Sequence, residues 1–185
     1  GAGYEDHAPC LCGELILWDA HTGEMIRRFE ATQAVFDVAF SPDGKTAYTS
    51  TLNPTTSIAW DVATGKKIAE YPGAIGVRPG VEPNTLVSDI NLIDLETGQI
   101  IRRFQGGHLG DIMLVDVSPD GRYLLTGDTT GRLILWNYAT GEIVRYFTGH
   151  TTTIWSAFFS PDGQTAYSSA YEYAVRQWRV ADWPL

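Results

Sequence analysis

The sequence of 185 residues predicts an all-β fold in which four-stranded antiparallel sheets stand side by side around an axis. Three observations predict it. A short motif, aromatic-acid-x-x-Thr-Gly, recurs at a spacing of about forty residues. A second motif, Ser-Pro-Asp-Gly, recurs in phase with the first. The stretches between them are strand-length apolar runs, and no window carries a sustained helical period.

The first motif reads WDAHTG from Trp18, WDVATG from Trp60 and WNYATG from Trp136, with a worn copy, IDLETG, from Ile93. A fifth copy, WRVADW from Trp178, has lost its Thr-Gly. The intervals are 42, 33, 43 and 42 residues. The second motif opens FSPDGKTAY at Phe40, VSPDGRYLL at Val117 and FSPDGQTAY at Phe159. From its proline to the next tryptophan is 18, 17 and 17 residues, but Pro83 to Ile93 in VEPNTLVSDINLID is only 10. About seven residues are therefore missing between the second and third strands of that repeat. Either the hairpin is truncated or residues have been lost from the sequence.

One repeat builds four strands. In the fourth, DIMLVDVS, RYLLTGD, RLILW and EIVRYF are each short, rich in β-branched or aromatic residues, and separated by turn residues. In Ser-Pro-Asp-Gly the proline pre-sets φ and the glycine accepts a positive one; Thr140-Gly141 makes the next turn in the same way. Four antiparallel strands about every 42 residues is the period of a β-propeller blade. Residues 1–185 thus read as a single propeller segment, in phase at Trp18, Trp60, Ile93, Trp136 and Trp178. The last strand of a repeat carries IRRF at Ile26 and Ile101 and VRYF at Val144, which reads as solvated edge charge that discourages sheet-to-sheet pairing.

The pattern GH…SPDG…LILW[DN]…TG resembles the WD-repeat family, in its bacterial form with SPDG in the first turn, and the likeness covers nearly the whole chain. It implies a structural tetrad of a Gly-His before the first strand, a Ser or Thr, an Asp and the Trp. In the fourth repeat Gly107, His108, Thr126 and Trp136 match, with Thr130 at the Asp position. In the fifth, Gly149, His150, Ser168 and Trp178 match, with Glu172 in place of Asp. In the second, Ser50 and Trp60 match, the His is absent and Pro54 takes the Asp position; the first repeat has Cys12 there. No complete tetrad is expected, so apolar packing should carry more of the stability.

The resemblance also implies that protein or peptide partners dock on the face formed by the loops before the first strand and between the second and third. Residue by residue this selects Phe36, Met113 and Trp155, with Tyr171 and Thr129 beside them. Strand counting gives roughly 17 strands, little more than four blades, where the family most often has seven. Two arrangements stay open. One is an arc of a larger propeller, or a ring completed by another chain; the other is a four-blade ring in which EMIRRF completes the last blade. The need of each blade for a neighbour favours the first.

Charge and composition narrow the function. A net charge of −9 with a pI near 4.8 disfavours nucleic acid as a partner. No run of about 18 apolar residues spans a membrane, and no leader pattern opens the chain. Two cysteines make no disulfide framework, which fits a reducing, cytoplasmic setting. Phosphate-binding glycine motifs are absent, and the histidines suggest no nucleophile constellation. His7, Cys10 and Cys12, with Glu5 or Asp6, could meet a metal, but their spacing fits no standard zinc site, so no metal or cofactor is expected. The expected function is a non-catalytic interaction scaffold. The alternative is a propeller that binds a small ligand or metal, with or without catalysis.

Overall fold

A computed structural model describes residues 13–31, 33–52, 55–73 and 75–180. Among the described residues it contains seventeen strands and no helix. A hairpin of β1 (Ile16–Trp18) and β2 (Met25–Arg28) opens the chain. Sheet I follows as β3 (Val35–Phe40), β4 (Thr46–Leu52), β5 (Thr55–Asp61) and β6 (Lys67–Pro72). Sheet II is β7 (Val77–Pro79), β8 (Thr85–Ser88), β9 (Asn91–Asp94) and β10 (Ile100–Arg103). Sheet III is β11 (Ile112–Val117), β12 (Tyr123–Asp128), β13 (Leu133–Asn137) and β14 (Ile143–Phe147). Sheet IV is β15 (Ile154–Phe159), β16 (Thr165–Ala170) and β17 (Val175–Arg179). Every strand pairs antiparallel with its sequence neighbour in the same sheet. The first strands β3, β7, β11 and β15 pack against one another in that order, as propeller blades do.

The two motifs are turn chemistry. In each Ser-Pro-Asp-Gly the serine hydroxyl donates to the aspartate, at 2.7 Å for Ser41–Asp43, 2.7 Å for Ser118–Asp120 and 2.5 Å for Ser160–Asp162. The same oxygen accepts the backbone N–H that starts the next strand, at Thr46, Tyr123 and Thr165. The glycines hold φ of 70°, 72° and 69°, where a Cβ would be strained. In the tryptophan motif the Asp or Asn one residue after the Trp, or after Ile93 in the worn copy, accepts the threonine N–H: Asp19 from Thr22, Asp61 from Thr64, Asp94 from Thr97, and Asn137 from Thr140. The Thr-Gly survives even in the worn copy because it closes this turn.

Side chains alternate between the two faces of each sheet, so one strand feeds two cores. On β13, Leu133 and Leu135 join Ile154, Phe159 and Ala166 of sheet IV. Ile134 and Trp136 join Val87, Leu92 and Phe104 of sheet II. Tyr48, Ala59 and Tyr71 meet Val77, Leu86 and Ile93 between sheets I and II. Phe29, with Leu15 and Leu17, covers Ala47, Ile58 and Trp60 on the outer side of sheet I. Each gap between successive sheets is filled in this way.

One sequence expectation, that for the outer strands, changes here. The shortened repeat is a closed hairpin: β8 and β9 pair without a break from Thr85↔Asp94 to Ser88↔Asn91, joined by Asp89 and Ile90 alone. The outer-strand arginines are not simply solvated. Arg102 donates to the Tyr138 carbonyl at 3.0 Å and lies over the Tyr138 ring. Arg145 donates to the Arg179 carbonyl at 3.2 Å. Each arginine reaches from the last strand of one sheet to the third-strand end of the next, so the recurring Arg staples sheets together.

The two ends of the stack differ from its middle. Phe36, Val38 and Phe40 on β3 are exposed, as are Trp18 on β1 and Phe158 and Val175 in sheet IV. The third strand of sheet IV has no fourth strand beside it among the described residues.

Candidate functional site

Two buried polar networks repeat from sheet III to sheet IV. In sheet III the Trp136 indole Nε1 donates to Thr126 Oγ1 at 2.7 Å, and that oxygen lies 2.5 Å from His108 Nε2. His108 Nδ1 lies 2.9 Å from Asp128 Oδ2. In sheet IV the Trp178 indole donates to Ser168 Oγ at 2.8 Å, Ser168 lies 2.7 Å from His150 Nε2, and His150 Nδ1 lies 2.6 Å from Glu172. The hydroxyl can donate to Nε2 only if the neutral imidazole carries its proton on Nδ1, facing the carboxylate. Burial pushes the His108 pKa down, against the pull of Asp128. Burial would raise Asp128, but hydrogen bonds from His108, Thr130 and the Arg132 and Leu109 amides outweigh it and hold the carboxyl at about 2. Hydrogen bonds from Thr152 and His150 likewise hold Glu172 at about 2.

The carboxylate that meets His108 is therefore Asp128, two residues before the Thr130 position suggested by spacing. Thr130 instead donates its hydroxyl to Asp128 at 2.8 Å. In sheet I the Trp60 indole is bonded to Thr49 at 2.8 Å, not to Ser50. The register explains the slip: Trp60 pairs with Ala47, and the residue two further along β4 is Thr49. Pro54 and Cys12 lie outside the described residues.

Hydroxyl, imidazole and carboxylate in a row have the layout of a nucleophile triad. The surroundings argue against that chemistry. Thr126 is 0 % exposed and Ser168 2 %. Each hydroxyl already accepts an indole N–H, so no face is open to a substrate. The geometry ties the loop before the first strand to the second and third strands and leaves no donor of the network unpaired.

A polar chain that the sequence did not reveal runs across the first strands. Asp37 on β3 accepts from the Val77 amide at 3.1 Å and from Arg78 at 2.7 Å. Arg78 also donates to Asp116 on β11 at 3.3 Å, and Asp116 accepts the Phe159 amide of β15 at 2.9 Å. One arginine thus links sheets I, II and III, and the chain extends to IV. The only signal in the sequence was an aspartate among apolar residues in VFDV and LVDV.

The residues expected at a partner surface do not all lie together. Trp155 is 54 % exposed and Tyr171 60 %, and their rings approach to 6.4 Å. Tyr173, which spacing did not single out, is 92 % exposed with its ring 6.0 Å from Tyr171. It sits at φ 60°, a conformation rare for a bulky residue, in the turn between β16 and β17. Met113 is half-buried on β11. Phe36 is exposed but lines a separate groove with Leu15, Ile16, Trp18 and Val38.

Among the described residues no group of three or more His, Cys, Asp or Glu is placed to hold a metal. His7, Cys10 and Cys12, with Glu5 and Asp6, lie outside the described residues. No helix of the described residues is long and apolar enough to cross a membrane.

The family description "WD domain, G-beta repeat" matches residues 23–61, 98–137 and 141–179, more than half of the chain. WD repeat-containing protein 25 of Mus musculus is 26% identical over 182 residues, covering 85% of this chain and 34% of that protein. Periodic tryptophan protein 2 of Arabidopsis thaliana is 32% identical over 74 residues, covering 40% of this chain and 8% of that protein. Meiotic recombination protein rec14 of Schizosaccharomyces pombe is 38% identical over 58 residues, covering 31% and 19%. The chain spans about a third of the length of the first of these relatives and less of the other two.

Proposed function

Because the chain belongs to the WD-repeat family, we propose that it is a non-catalytic scaffold that binds a protein or peptide partner through its loop face. One observation carries the reading: Trp155, Tyr171 and Tyr173 form a contiguous run of exposed rings at one end of sheet IV. Large rigid aromatics exposed in a row cost solvation in the free protein and are the side chains that most often anchor interfaces. The hydroxyl–histidine–carboxylate rows are closed to substrates, which supports a scaffold over an enzyme. Exposed apolar residues on β3 and a sheet IV of three strands among the described residues support a second part of the reading, that further strands from its own protein or another chain continue the ring. A cytoplasmic location is part of the same reading.

The test is partner capture by the whole chain and by a Trp155→Ala/Tyr171→Ala variant. The variant should capture at least about tenfold less while its melting transition stays within a few degrees of wild type. Undiminished capture by a folded variant would contradict the assignment.

A further inference from the structure

The truncated hairpin of sheet II leaves a hollow in the loop face. Its neighbours are longer: β12 and β13 run six and five residues and are joined by Thr129 to Arg132, whereas β8 and β9 run four each and are joined by two. The result is a cavity of about 450 Å³. It is lined by Thr55 and Ile75, by Asp89 and Ile90 of the short turn, and by the segment with His108, Gly110 and Asp111 that leads to Ile112. No lysine or arginine is among its described lining residues.

Asp89 is unlike the other turn aspartates. Asp19, Asp43, Asp61, Asp94, Asp120 and Asp162 each accept hydrogen bonds that fix their own turn, and their carboxyls lie below the usual value. Asp89 Oδ1 is closed to water and has no hydrogen-bond partner. Burial, together with the nearby Asp111 charge, drives its carboxyl up to about 6, with only the Ile90 amide in opposition. Its φ of 59° suits asparagine or glycine at least as well. Among the described residues only the Ile90 amide favours the charged form of this carboxylate, and no cation is paired with it.

We propose that this cavity receives an arginine side chain of a protein partner, its guanidinium beside Asp89 and Asp111 and its stem along Ile75, Ile90 and Ile112. A guanidinium is weakly hydrated and presents a fork of donors, so it loses less than an ammonium on entering a partly apolar hollow lined by two carboxylates. The net charge of −9 draws such a partner in. The assignment is independent of the aromatic rings on sheet IV.

The test uses the whole 15N-labelled chain and three peptides, acetyl-Gly-Gly-X-Gly-Gly-amide with X arginine, lysine or citrulline. The arginine peptide should saturably shift the amide signals of Ile75, Asp89, Ile90 and Asp111. The lysine peptide should bind several-fold more weakly, and the citrulline peptide should leave the signals in place. Asp89→Asn should weaken the arginine peptide by about tenfold or more, and Asp111→Asn should weaken it less. Trp155→Ala should leave the titration unchanged, which separates this site from the aromatic one. Unmoved signals with the arginine peptide at about 10 mM, equal binding of lysine or citrulline, or unaltered affinity in a folded Asp89→Asn chain would each overturn the proposal.

Discussion

Thr126 accepts an indole N–H and meets an imidazole nitrogen with a single hydroxyl, in a place that water does not reach. Thr126→Val keeps the shape and strands both partners, so it should cost about 2–4 kcal/mol in chemical unfolding. The acid side of the network carries a pH signature. Asp128 is held at about 2 against an ordinary 3.8, so its stabilisation is complete above about 4 and is lost as pH falls towards 2. His108 is also depressed, so the folded state disfavours its protonated form and stability begins to fall below its ordinary 6.5. Asp128→Asn should remove the lower of these two slopes, read as urea midpoints between pH 5 and 2. Asp89 works in the opposite sense. Its carboxyl is raised from 3.8 to about 6, so ionisation costs stability that grows as pH climbs between those values. Asp89→Asn should therefore stabilise the chain by about 1–3 kcal/mol at pH 7.5 and have little effect at pH 3.5.

At the scale of strands and sheets, Arg78 is the link most exposed to a single change. Arg78→Ala leaves Asp37 and Asp116 facing one another across β7 without a countercharge, and should lower stability by about 1–3 kcal/mol. Burial already raises Asp116 against the pull of Arg78 and the Phe159 amide, so the loss should be smaller at pH 4 than at pH 7. Strand order, strand number and both turn motifs were legible in the sequence, because period-2 alternation and turn residues are local signals. What was not legible depends on partners far apart in the chain. Thr49 replaces Ser50 because the register across β4 and β5 decides which residue reaches Trp60. Asp128 replaces Thr130 for a similar reason: side-chain reach, rather than distance along the chain, selects the carboxylate for His108. Arg102 and Arg145 looked like edge charge because their acceptors, the carbonyls of Tyr138 and Arg179, lie more than thirty residues away. The exposed Tyr173 carried no signal beyond its place in a turn.

At the scale of the molecule, sheets II and III are covered on both faces, whereas the opening hairpin and sheet IV each have one face without a described neighbour. Hydrogen–deuterium exchange should therefore be slowest in β8, β9, β12 and β13 and fastest in β1, β2 and β17. The loop face holds the aromatic run and the acidic hollow, while the Ser-Pro-Asp-Gly turns occupy the opposite end of the strands. Recognition is proposed to run through the first of these ends. Its most direct test is a photo-crosslinking amino acid placed at position 155 and, separately, at position 162, each in the whole chain exposed to extract from its own cells. Docking on the loop face should give discrete adducts from position 155, competed by unlabelled wild-type chain, and none above background from position 162. Adducts confined to position 162, or equal at both, would contradict it.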